Sequence, residues 1–85
     1  MPYIKQEERE YYDEHLNKIK TIYTKGDLEY CVVKLMKKFM KTRENRYITL
    51  HDCVHAVHHA AYEFGRHTLD KREDQARLEN GDVEA

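Results

Sequence analysis

The sequence predicts an all-α fold: a small three-helix hairpin or bundle with a long third helix, expected to oligomerise. Three observations lead there. The chain has one proline, Pro2, and three glycines, so little in it interrupts a helix. Its apolar residues recur at the three- and four-residue spacing of a helix face rather than the alternation of a strand. Its 85 residues suffice for one small domain. A chain of that size buries only roughly 60% of its unfolded surface, so its core is marginal without a partner.

Residues 1–4 (MPYI) read as an extended arm, because Pro2 disfavours an earlier helical start. Tyr3 and Ile4 would lie on the fold as apolar anchors. A first helix fits residues 6–23, where Tyr12, Leu16, Ile19 and Tyr23 share one seam at about 100° per residue. Glu7, Glu8 and Glu10 stand in its first turn and Lys18 and Lys20 toward its end, as the helix dipole favours. Gly26 is expected to stop this helix in a left-handed conformation, and Asp27 to cap the next. Residues 28–42 carry the clearest amphipathic pattern in the chain. Leu28, Val32, Leu35, Met36 and Phe39 take one face, and Lys34, Lys37, Lys38 and Lys41 the other.

The stretch KTRENRYI is a polar link, after which Thr49 and Asp52 resemble a capping box. The third helix runs from about residue 50 to the mid-70s, loosened at Gly65, where glycine costs about 1 kcal/mol relative to alanine. ENGDVEA closes the chain as turn and tail. Residues 1–69 thus form the helical domain, and residues 70–85 a charged helix end and acidic tail.

Net charge is −1, so nothing global points to nucleic acid. No apolar run approaches the ~20 residues of a membrane span, and no signal peptide is evident. The two cysteines, Cys31 and Cys53, are therefore expected to be reduced, small apolar residues of a cytoplasmic protein. Serine is absent, neither cysteine has an activating base in sequence, and no glycine-rich loop could cradle a phosphate. No enzyme is expected, and no catalytic residue is assigned.

HDCVHAVHHAAYEFGRH, residues 51–67, holds five of the six histidines. On a helical wheel Cys53, Ala56, Val57, Ala60 and Phe64 form the apolar arc. His51, His55, His58 and His59 fall opposite, with Tyr62 and Arg66, while His67 lies nearer the apolar side. Histidines three or four apart could chelate zinc or another divalent metal. A structural zinc site wants four ligands, so a second copy of the chain would have to complete it. Stacked imidazoles that repel as they charge near about pH 6.5 are a second use, and a hydrated or partner-covered polar face is the plain one. The stripe Lys34, Lys37, Lys38 and Lys41 could follow a phosphate backbone, but it lacks arginine forks and reads first as the wet side of its helix. Of seven tyrosines, Tyr11 and Tyr12 must point about 100° apart on a helix. Tyr11 either rims the core with His15 and Ile22 or is left for a partner.

MPYIK at the start, KGDLEY opening the second helix, YEFGR in the third and ENGDV at the close resemble a family of small uncharacterised prokaryotic and phage proteins, a domain of unknown function. Glu29 stands where members typically carry asparagine. The resemblance implies a compact helical protein, cytoplasmic in its host if phage-encoded, and carries no activity with it. It shifts attention from the histidines, which the family pattern does not share, to Gly26, Asp27, Leu28, Tyr30, Glu63, Phe64, Arg66 and residues 80–83.

The functional expectation is a non-enzymatic helical module that binds protein: itself, as a homodimer, and another, unidentified partner. Tyr11, Tyr62, Glu63, Arg66, Asn80 and Asp82 would make the contact. By analogy alone, such a module could be an inhibitor or adaptor of host machinery with an anti-defence role. The alternatives are a metal- or small-ligand-binding oligomer using the histidine face, and nucleic-acid binding through the lysine stripe. No membrane role and no resident cofactor are expected.

Overall fold

A computed structural model describes residues 2–83. Among them the chain is all helical: α1 (Gln6–Leu16), α2 (Lys25–Lys41), α3 (Tyr47–Phe64), a π-helical turn (Gly65–Leu69) and α4 (Asp70–Asn80). The last three run on without a break, so the long third helix is present and Gly65 marks where it loosens, with the Asp70 N–H reaching back to the Gly65 carbonyl. Among the described residues no helix is long and apolar enough to cross a membrane.

The helix boundaries differ from expectation at the end of the first helix, the start of the second and both ends of the long third, which begins at Tyr47 and runs to Asn80 rather than the mid-70s. The first helix ends at Leu16, leaving Ile19, Ile22 and Tyr23 in an irregular connection. Nor does Gly26 end a helix or Asp27 cap one. Thr24 is the N-cap of α2: its hydroxyl accepts from the Asp27 N–H at 3.0 Å, and the Asp27 carboxylate accepts from the Thr24 N–H at 3.1 Å. The capping box satisfies two donors that a helix start leaves free, and it places Gly26 inside the first turn with an ordinary negative φ. The only glycine with positive φ is Gly81, at 89°, which releases the chain from α4. The second box shifts likewise. α3 begins at Tyr47, and Thr49 accepts from the Arg46 N–H at 3.2 Å, so Asp52 is not its partner.

α2 and α3 are joined by the short link of residues 42–46 and pack as a hairpin. Cys53 lies at their contact, where its thiol reaches the Met36 carbonyl at 3.7 Å. With 5% of its surface exposed, Cys53 is the single buried apolar residue among the described ones, and both cysteines are free. Val32, Met36, Phe39 and Met40 of α2 and Val57 of α3 are half-buried. α1 packs against no other helix.

A three-helix bundle therefore does not close within one chain. Accessible surface is 8226 Å², against about 5,400 Å² for a compact protein of this mass. The radius of gyration is 16.9 Å, against about 12 Å for a globule of this length. The amphipathic helices form as expected, but a hairpin with one free helix has only one inner seam to bury.

Because Gly26 lies within a helix and a Cβ there meets only the Thr24 hydroxyl, at 3.8 Å, Gly26→Ala is expected to stabilise the protein by up to about 1 kcal/mol. Thr24→Ala should cost about 1 kcal/mol. Urea denaturation reads both, and a destabilising Gly26→Ala would restore the glycine to a helix stop.

Candidate functional site

The most structured polar site lies where the N-terminal arm crosses the end of α3. Glu63 occupies the last turn of that helix and is the one buried charged residue among the described ones, 8% exposed. Helical spacing carries three neighbours to it: His59 one turn before, Arg66 and His67 one turn after. Arg66 donates to Glu63 Oε2 from Nη2 at 2.8 Å and from Nε at 3.2 Å. His59 Nε2 lies 3.7 Å from Oε1 and His67 Nε2 3.8 Å from Oε2. The fourth group comes from the far end of the chain: the Tyr3 hydroxyl donates to Oε2 at 3.2 Å. Its ring meets that of His67 edge-on at 5.9 Å.

The π turn begins two residues beyond Glu63. It contains Arg66 and His67, and Arg66 Nη2 also lies 3.0 Å from His67 Nε2. A shallow cleft of about 390 Å³ opens between the arm and the helix, walled by Tyr3, Ala60, Phe64, His67 and Thr68 above Glu63.

The Arg66 hydrogen bonds hold the Glu63 carboxyl below the usual carboxylate range, overcoming the burial that acts to raise it. Arg66 is raised in return by the same bonds. Burial first, and then the Glu63 charge, push the Tyr3 phenol up. Near neutral pH the set is an ionised pair with a neutral phenol donating into it. One atom is left over: His59 Nε2 is buried without a hydrogen-bond partner. Such an arrangement can act as a clasp, fastening residues 2–5 to α3 through charge-assisted bonds.

Other residues singled out in the sequence fall apart from this cluster. Tyr47, His51, His55, His59 and Tyr62 form a ladder up one side of α3, with successive ring centroids 6.0, 6.2, 6.3 and 6.3 Å apart. His58 stands outside it. Of the four face histidines, His59 is turned partly inward to Glu63, and Arg66 belongs to the clasp rather than to the ladder. Among the described residues no three of His, Cys, Asp and Glu are arranged to hold a metal ion. Tyr11 is exposed, edge-on to Tyr12 and to His15 at 5.1 Å each. Asn80 ends α4, and Asp82 lies 3.8 Å from Arg77. Lys34 sits over the Tyr30 ring. Lys37 and Lys41, expected opposite the apolar face, instead border an apolar groove with Val33, Met36, Met40 and Leu50.

Glu63 entered the sequence reading only through the family resemblance, Arg66 also as a member of the histidine arc, and Tyr3 only as an anchor without a target. The spacing of His59, Glu63, Arg66 and His67 was a local signal for the cluster, since it places all four on one stripe. The meeting with Tyr3 had none.

The family model for Domain of unknown function (DUF6899) matches residues 1–83. The chain belongs to this family. No curated protein and no solved structure matches it. The match takes in both sides of the clasp, the arm and the end of α3, so a DUF6899 domain is here a chain whose start is fastened to its own third helix.

The sign of the Glu63 effect sets its pH dependence. A carboxyl lowered in the folded state lends stability that is complete above its ordinary value of about 4.3. That stability is lost as the pH falls through the lower folded value. Contacts between the Tyr3 and His67 rings, followed by NMR, should weaken on acidification in the wild type. In Glu63→Gln they should be weak at every pH. An arm contact that ignores both changes would refute the clasp.

Proposed function

We propose that this protein is a small, non-enzymatic helical module that acts by binding protein. One observation carries the reading: the apolar faces that helix periodicity lays down are left uncovered. Leu16 of α1 is 45% exposed, Leu28 and Leu35 of α2 52% and 50%, and Leu50 and Phe64 of α3 45% and 70%. Compact monomers seldom leave apolar surface open on this scale, and where it is open it marks interaction sites. In the bacterial or phage setting that the sequence resemblance implies, an inhibitor or adaptor of other machinery is the role such a surface fits by analogy.

A second reading uses the imidazole ladder. His51 and His55 stack nearly parallel, 6° apart, so two such faces meeting across a symmetry axis could supply the four ligands that zinc prefers.

Light scattering on the purified chain is expected to give more than one copy, a multiple of 10.3 kDa, or a single copy that binds an apolar dye strongly. A dye-silent monomer with a radius of gyration near 12 Å would overturn the protein-binding reading. Added zinc should raise the melting temperature only on the second reading, and His55→Ala should then remove the gain.

A further inference from the structure

We infer that the groove between α2 and α3 is filled by α1 of a second copy, so that two chains exchange first helices in a symmetric dimer. The inference rests on the protein-binding reading and names its partner. Three observations support it.

The first is area. The surface in excess of a compact monomer is about 2,800 Å² per chain, or about 5,600 Å² for two. That is what an extensive obligate homodimer interface removes, roughly 2,000–5,000 Å² or more in total. One further copy is enough to cover it.

The second is chemistry. The groove has an apolar floor of Val33, Met36, Met40 and Leu50, with Lys37 and Lys41 on its rim. α1 is the matching part. Tyr12 and Leu16 share one stripe, which at about 100° per residue has Glu8 on one side and Asp13 on the other. Besides His15, the helix carries five acids against the single base Arg9. An acidic helix with a short apolar stripe suits an apolar trough edged by ammonium groups.

The third is placement. Within its own chain α1 packs alongside neither α2 nor α3. The Tyr3–Glu63 bond pins the segment before it to the Phe64 end of the hairpin. The contact between Cys53 and Met36 puts the groove toward the opposite, linked end. The clasp thus holds α1 at one end of the hairpin while its complement lies at the other.

Charge reversal on either side of the contact tests this. Lys37→Glu/Lys41→Glu places acids on the groove, and Glu8→Lys/Asp13→Lys places bases on α1. All four positions are exposed, and circular dichroism checks that helix content is kept. The wild-type chain should run at twice 10.3 kDa. Each double variant alone should self-associate roughly tenfold more weakly or worse, since two pairs are reversed at each of two equivalent sites. Mixed in equal amounts, the two variants should recover a dimer, because each α1 then meets a groove of opposite sign. A wild-type monomer would overturn the exchange. So would a mixture that stays monomeric, as when each groove is filled by its own α1 or by another protein. A dimer indifferent to both reversals would also overturn it, while leaving the protein-binding reading in place.

Discussion

The packing of α2 on α3 around Cys53 is the constraint on which the rest of the structure depends. Among the described residues it is the one place where two helices meet side by side, and it buries a single apolar residue, Cys53. A chain of 85 residues has little apolar surface to spend, and folding must offset an ordering cost of about 1–2 kcal/mol per residue in the backbone alone. One seam between two helices falls short of that. On the proposed reading, covering the open faces of α1, α2 and α3 by association completes the fold.

The Glu63 clasp solves a different problem. Residues 2–5 carry too little apolar surface to hold themselves to a helix. Fastening the arm by a phenol and a guanidinium that converge on one carboxylate fixes where α1 begins. A buried carboxylate is tolerable only because Arg66 neutralises it and three hydrogen bonds satisfy it. On the proposed reading the clasp and the open faces act together, the first setting the direction of α1 and the second giving it a destination on another chain.

The histidines illustrate how far a helical wheel can be taken. It placed His51, His55 and His59 on one side of α3, and the rings do form a ladder there. A wheel gives directions about one axis and says nothing of side-chain reach. It therefore left His59 on the open face, although Glu63 draws its Nε2 inward, and it put Arg66 among the histidines rather than on the carboxylate. Lys37 and Lys41 were misplaced for a related reason: opposite the apolar arc on paper, they border the groove once α3 lies alongside.

Local chemistry was legible in the sequence wherever neighbours within about four residues decide it. Helix existence, the long third helix, its loosening at Gly65, the inward Cys53 and the exposed lysines all follow from periodicity and propensity. Boundaries were less so: Asp27 reads as the cap of α2, and only the hydrogen bonds of the folded turn give that place to Thr24. What the tertiary structure alone decided lies across distance: that Tyr3 finds Glu63 sixty residues on, and that α1 stands away from the hairpin instead of closing a bundle. Periodicity fixes which side of a helix is apolar. Which surface covers that side depends on the path of the chain between helices, and in a chain this short the covering surface need not belong to the same molecule.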